Sequence, residues 1–174
     1  MKRLSGIVIV AFLLGFVGQG LSAQNLKFGH INSDELIQSL PEFDSANAHL
    51  EKFRTDLVNA LELMQVELNN KSEAYQKDQK NLTDIVRQTK EQELMDMNRR
   101  IQEFQQSAQT QLQQKQAELF QPIMAKVDKA IKDVGKENGY VYIFTIGQGS
   151  SLVYFDETRS TNIMPLAKAK LGIK

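Results

Sequence analysis

The chain has 174 residues, with 21 basic and 21 acidic side chains and no cysteine, which is enough for one domain of ordinary size. The even charge balance argues against a nucleic-acid-binding protein, because such proteins usually carry a strong basic excess. The lack of cysteine excludes disulfides, thiol nucleophiles and zinc–thiolate sites. No other spacing typical of metal ligands is present, so we expect neither a metal nor a cofactor.

The first 23 residues have the three-part pattern of a secretory signal peptide: Lys2 and Arg3, an apolar run over 7–17, and then small and polar residues. The apolar run is shorter than the roughly 20 residues that a membrane-spanning helix needs. We predict cleavage after Ala23, or after Ser22, and export of the chain; an uncleaved N-terminal anchor is the alternative. Removal of Lys2 and Arg3 leaves 19 basic against 21 acidic residues, so the mature chain is slightly acidic. We expect contact with a membrane to be peripheral at most.

Residues 26–31 alternate between apolar and polar side chains, which predicts a half-buried strand with Phe28 and His30 on one face. We interpret His30 as a residue of that face and not as a catalytic base, because no acid or nucleophile accompanies it. Residues 32–34 then provide an N-cap for a short helix, and Pro41 ends that helix.

Residues 45–121 contain no glycine and no proline, and their apolar residues recur every three or four positions. This pattern predicts two long helices folded back on each other, with Asp44 or Ser45 capping the first. The predicted tip is 81–84, with Thr83 capping the second helix; Thr89 is the alternative cap. Two helices of equal length would form an arm of about 55 Å at 1.5 Å per residue.

The first helix carries Leu57, Leu61, Met64 and Leu68 at the 4-3-4 spacing of a heptad seam. Lys71 and Asp78 occupy later positions of the same seam, where a tight coiled coil would have apolar residues. The sequence therefore predicts an arm whose inter-helix contact becomes mixed towards its tip.

Pro122 lies where the returning helix reaches the base of the arm, and we predict that it kinks the helix there. Gly135 and Gly139 are the predicted helix-ending residues, and Gly139 is the better candidate for the position after the C-cap. Residues 140–146 and 151–155, separated by the turn 147–150, predict a β-hairpin. A last helix follows Thr161 or Asn162 and runs to residue 171.

The predicted fold class is α+β and mostly α: a long antiparallel helical hairpin, the arm (45–121), on a small three-stranded body (24–44 and 122–174). A core of this size is marginal for one copy. We therefore expect the body to form an oligomer.

In order, these features resemble the Skp/OmpH family of periplasmic chaperones. The resemblance covers nearly all of the mature chain and rests on the arm and on several short motifs. The motifs are Lys27-Phe28-Gly29-His30-Ile31, Leu119-Phe120-Gln121-Pro122-Ile123, Ala130-Ile131-Lys132, Glu137-Asn138-Gly139-Tyr140-Val141-Tyr142, Leu152-Val153-Tyr154-Phe155 and Leu171-Gly172-Ile173.

The resemblance implies a homotrimer in which strands of three copies form a central barrel and three arms surround a cavity. It further implies that the cavity holds unfolded outer-membrane β-barrel proteins in the periplasm and prevents their aggregation without ATP. Two features depart from the family pattern. The mature chain is slightly acidic where well-studied members are basic, and residues 158–163 lack the usual Asp-Ile-Thr. The charge difference gives no support for attraction to lipopolysaccharide.

A chaperone of this kind needs apolar contacts that are spread out and adaptable, for which methionine is suited. The predicted client-binding residues are the apolar side chains of the arm, although a simpler interpretation is that most of them join its two helices. They are Met64, Leu68, Tyr75, Leu82, Ile85, Leu94, Met95, Met97, Ile101 and Phe104. The predicted oligomer core consists of apolar side chains of the strands. It comprises Phe28, Ile31, Val141, Ile143, Leu152 and Tyr154.

The alternative function is a structural coiled-coil spacer or tether of the cell envelope. The polar residues in the seam count against it, since a rod needs a sustained apolar seam. We expect no enzyme activity, because the sequence has neither a nucleophile–base pair nor paired carboxylates in a cleft.

Overall fold

The computed structural model describes residues 26–173, and the predicted signal peptide lies outside them. Its elements confirm the predicted class, mostly helical with a small sheet. In chain order they are β1 Lys27–Ile31, α1 Ser33–Gln38, α2 Pro41–Asp78, a 3-10 turn Gln79–Asn81, α3 Asp84–Glu137, β2 Tyr140–Thr145, β3 Ser160–Asn162 and α4 Met164–Leu171.

Several predicted helix ends are confirmed. The Asn32 side chain accepts a hydrogen bond from the backbone N–H of Glu35 at 3.2 Å and caps α1. Thr83 caps α3 in the same way, accepting from the N–H of Val86, so the tip lies where the sequence predicts it. Gly139 follows α3 with a φ of +69°, a conformation in which glycine has no steric penalty from a Cβ atom.

The predicted start of the long helix at Asp44 or Ser45 is wrong. Helix α2 begins at Pro41 with Leu40 as its N-cap, because a proline at the first helical position has a suitable φ and lacks an N–H that would be unpaired there anyway. Helix α3 continues through Pro122 and does not end there. The predicted bend at Pro122 stays a prediction.

The sheet has the order β2-β1-β3, and both neighbours of β1 run parallel to it. The predicted hairpin between 140–146 and 151–155 is therefore wrong. The turn at 147–150 does form, but the next residues pair with no strand, and the ring of Phe155 lies 4.7 Å from that of His30. The third strand is 160–162, on the far side of β1.

The body core lies between the inner face of the sheet and the helices. Its four largest fully buried side chains are Ile31, Leu36, Leu40 and Ile163. Burying each such side chain stabilises the fold by about 1.5–3 kcal/mol. Gly29 permits this packing, since a Cβ atom there would lie 3.0 Å from the Ile163 side chain.

The last helix closes this core. The predicted N-cap at Thr161 or Asn162 is wrong, because Ile163 is the N-cap and no side chain caps the helix. Asn162 instead accepts a hydrogen bond from the N–H of Met164 at 2.9 Å. The helix ends at Leu171, as predicted, and Gly172 follows in the left-handed conformation. Ala167 faces the core and is fully buried.

Candidate functional site

The two helices of the arm meet along a thin seam. Contacts between Lys71 and Glu93 and between the rings of Phe43 and Phe120 set an antiparallel register. Within 47–121 only Met97 and Ile101 are buried, at 3% and 8% exposure. The register places Met64 and Leu68 opposite these two. Beyond Ala46, which is buried at its base, the arm thus has one small buried contact instead of a continuous core.

The ten predicted client-binding residues fall into three groups. Ile85 and Met95 are exposed, at 79% and 59%, and are open to a partner. Met97 and Ile101 are buried between the helices, so they reach a partner only if the helices separate. The remaining six are partly exposed along the seam: Met64, Leu68, Tyr75, Leu82, Leu94 and Phe104. The client-binding role of all ten stays a prediction.

Further apolar side chains of α2 are exposed outside the seam: Val58, Leu63 and Val66, with Leu63 at 70%. At 100° per residue, Leu63 and Val66 point away from the seam formed by Leu57 and Leu61, whereas Val58 lies beside that seam. These three residues were not among the predicted ones, although a helical projection of α2 would have shown them.

The distal part of the seam is closed by polar contacts. The ammonium group of Lys71 donates a hydrogen bond to Glu93 on the facing helix and lies 3.4 Å from the Glu67 carboxylate. The hydroxyl of Tyr75 donates to Glu91, also across the seam. We call Lys71, Tyr75, Glu91 and Glu93 the distal clasp.

The distal clasp shifts the proton affinities of its members. The hydrogen bond from Lys71 lowers the pKa of Glu93 below its ordinary 4.5, and the bond to Glu93 raises the pKa of Lys71 above 10.5. The hydrogen bond to Glu91 raises the pKa of Tyr75 above 10.0, because it holds the phenol proton. The clasp is therefore complete at neutral pH.

The outer face of the sheet carries stacked aromatic rings. The rings of Phe28, Tyr142 and Phe144 lie 6.0 to 6.4 Å apart in near-parallel orientations. Tyr142 remains 60% exposed. We call these three residues the aromatic face. Aromatic side chains that keep this much exposed area are enriched at protein–protein interfaces.

The predicted oligomer core divides between two faces of the sheet and the loop after it. Ile31 is fully buried within one chain, and Ile143 packs against the same core, so both stabilise the single copy. Phe28 belongs to the aromatic face.

The other three members are Val141 on the edge strand β2, partly exposed Leu152, and Tyr154 at 81% exposure. Tyr142 and Phe144 were not among the predicted residues. Their alternation with Val141 and Ile143, once aligned with β1, would have placed them beside Phe28.

His30 is the one buried polar residue of the described chain. Its Nδ1 lies 2.9 Å from the Ser160 hydroxyl oxygen, and Phe155 covers the ring. The nearby Asp156 carboxylate instead accepts from the backbone N–H and hydroxyl of Thr158. This arrangement satisfies a buried imidazole and links β1 to β3.

Two further properties concern residues 26–173. No three histidine, aspartate or glutamate side chains in this part lie close enough together to hold a metal ion. None of its helices combines the length and apolar character that crossing a membrane requires.

Comparison with known proteins finds one family. The model of the family described as outer membrane protein (OmpH-like) matches residues 27–171. The match includes the arm, all three strands and α4. No curated protein matches the chain.

Proposed function

We propose a chaperone function for this chain, which belongs to the OmpH-like outer membrane protein family. At the level of the family, membership supports a periplasmic chaperone associated with outer membrane proteins. Our finer proposal is an ATP-independent holdase that is exported by a cleaved N-terminal signal peptide, binds unfolded outer-membrane β-barrel proteins and prevents their aggregation.

The observation that carries this proposal is the thin, partly exposed seam of the arm. A tight coiled coil would bury its apolar residues, whereas Met64, Leu68 and Phe104 keep part of their surface in solvent. Ile85 and Met95 are more exposed still. An unfolded β-barrel chain offers many weak apolar contacts, and such a dispersed, flexible surface fits it.

The proposed assembly is a homotrimer joined through the body. The aromatic face supports this, since Tyr142 and the partly exposed Phe28 and Phe144 present a patch that another copy would cover. Joined bodies would hold three arms around a common space. The client would then contact several arms at once. Once one arm is bound, the effective concentration of the others is high, so weak contacts on each arm would give a higher overall affinity.

Acidic and basic side chains alternate along the arm, and this pattern supports release of the client. Most of its ion pairs lie within one helix, such as Lys52–Asp56 and Arg99–Asp96, and keep the surface between apolar residues hydrated. The apolar contacts therefore stay small and separate, which favours binding that is reversible without ATP. We propose binding and not catalysis as the whole activity.

The alternative, a spacer or tether in the envelope, needs a stiff arm. The distal clasp disfavours it, because Lys71 occupies a seam position where a rod would have an apolar residue. Solution mass separates the two functions. A trimer supports the holdase, whereas a monomer or a long two-stranded dimer supports the spacer.

An aggregation assay tests the proposal. A urea-unfolded outer-membrane β-barrel protein is diluted with and without a threefold excess of the mature chain, and light scattering is recorded. We expect scattering to fall strongly. Unchanged scattering would contradict the holdase.

A matched pair of variants tests the arm in the same assay. Met95→Ser removes an exposed apolar side chain, whereas Gln88→Ser changes an exposed polar one on the same helix. We expect Met95→Ser to suppress scattering less well than the native chain, and Gln88→Ser to match it. Equal effects of the two changes would contradict client binding at Met95.

A further inference from the structure

The arm divides at its buried contact into two parts of different chemistry. Towards the body, Met97 and Ile101 are buried, and partly buried apolar residues continue along the seam as far as Phe43 and Phe120. Towards the tip, between residues 71 and 93, no side chain is buried. In this part of the described chain, the hydrogen bonds and the ion pair that join the two helices are those of the distal clasp.

Contacts of the distal clasp differ in kind from most other ion pairs of the chain. In residues 26–173, only three ion pairs join two different helices: Lys71–Glu93, Lys126–Glu42 and Lys170–Glu137. The last two lie beside the apolar core of the body. Lys71–Glu93 has no buried apolar neighbour on its tip side, so its loss leaves little to hold the helices together.

We infer that the distal arm, residues 71–93, is a latch that opens independently of the rest of the chain when ionic strength rises. Salt screens exposed charge pairs, and the screening length falls from about 10 Å at 0.1 M to about 3 Å at 1 M. Apolar burial does not weaken in this way. A rise in salt concentration should therefore weaken the contacts of the distal arm and leave the apolar contacts of the rest of the chain intact.

Opening would expose the seam side of the distal arm. Tyr75 and Leu82 are only partly exposed while the helices stay together. Separated helices would present these side chains to solvent, while Met97 and Ile101 stay paired and limit the opening to the tip. The latch is a property of the chain alone, and its test contains no client, so it stands or fails separately from the holdase proposal.

Spin-label distances on the full mature chain test the latch. The chain has no cysteine, so pairs of labels can be attached at chosen positions. A distal pair carries Ala74→Cys and Lys90→Cys, and a proximal pair carries Thr55→Cys and Thr110→Cys; all four positions are exposed. Between 0.05 and 1 M NaCl, we expect longer distances for the distal pair alone. No change in the distal pair, or an equal change in both pairs, would overturn the inference.

Amide exchange on the unlabelled chain measures how much salt increases the opening of the distal arm. An exposed ion pair contributes little, so we expect exchange in 71–93 to be about two- to fivefold faster at 1 M NaCl. Exchange in residues 97–108 should be unaltered. Faster exchange along the whole arm would show general loosening and would overturn the latch.

Two lysine variants identify the cause. Lys71→Met replaces the clasp cation by an apolar side chain of similar length, so the distal salt response should disappear. Lys52→Met is the matched control, because Lys52 is exposed and pairs only with Asp56 of its own helix; its salt response should equal that of the native chain. A salt response retained by Lys71→Met would overturn the inference.

Discussion

In the body, Ile31, Leu36, Leu40 and Ile163 are at most 1% exposed, whereas between residues 47 and 121 only Met97 and Ile101 are buried. The body is thus held by apolar packing and the distal arm by exposed polar contacts. Apolar packing favours one arrangement, because close-packed cores tolerate little displacement. Weakly joined helices rearrange at low cost, which suits the adaptable client-binding surface that we propose.

The largest effect is expected from the body core. Leu36→Ala removes a fully buried side chain and should reduce the free energy of unfolding by about 2–5 kcal/mol. Urea titration followed by circular dichroism measures it. Leu166→Ala, at a position 39% exposed, is the control and should cost far less. Equal losses would contradict the assignment of the core.

A smaller and more local effect is expected in the arm. Met97→Ala should destabilise the arm by about 2 kcal/mol, because a thin seam recovers part of the lost contact by collapsing. Amide exchange should rise in residues 60–104 and stay constant in α1 and β2. An equal loss of amide protection in the body would mean that the arm and the body unfold as one unit.

The aromatic face provides the next comparison. Tyr142→Ser should weaken self-association by about tenfold, or about 1.4 kcal/mol, if another copy covers this ring. Sedimentation velocity at several concentrations measures it, with Leu63→Ser on the arm as the control. An unchanged mass distribution for Tyr142→Ser would place the interface elsewhere.

The smallest effect concerns pH at the distal clasp. The folded pKa of Glu93 is lowered, so its contribution is present above the ordinary value of 4.5 and is lost as pH falls through the folded value. The folded pKa of Lys71 is raised, so its contribution is present below 10.5 and is lost as pH rises beyond that.

Other charged and polar groups face the clasp as well. Glu67, Lys90 and Arg100 act on Lys71 or Glu93, and Gln79 and Arg87 on Tyr75. Distal amide exchange, corrected for intrinsic rates, should be slowest from about pH 5 to 9. In Glu93→Gln, most of the loss of distal amide protection at acid pH should disappear. In Glu103→Gln, whose partner Arg99 lies on the same helix, that loss should be the same as in the native chain. A flat profile in the native chain would contradict the role of the clasp.

Local signals in the sequence predicted much of the fold. Asn32, Thr83 and Gly139 each act through neighbouring backbone atoms, so short motifs were sufficient to find them. The third strand was missed because its partner is far away. Residues 151–155 have strand-like composition, but β1 pairs with 160–162 instead, and a parallel pairing of this kind leaves no turn signal between its strands.

The candidate surfaces show the same division. The change from apolar to polar contact along the seam was predicted from Lys71, since spacing within one helix reveals it. The pairing of Lys71 with Glu93, and the stacking of Phe28 on Tyr142, depend on register between distant segments. Met95 and Met97 are two residues apart on α3, yet Met95 is exposed and Met97 is buried. The sequence composition does not distinguish them.

The central claim is that the arm, and not the body, holds the client. Site-specific photo-crosslinking to an unfolded outer-membrane β-barrel protein tests it most directly. The reactive group is placed at Met95 or Leu63 on the arm, and at Val153 in the body, which is fully exposed. The account predicts several times more client crosslinked from the two arm positions than from Val153. Equal or greater crosslinking from Val153 would contradict it.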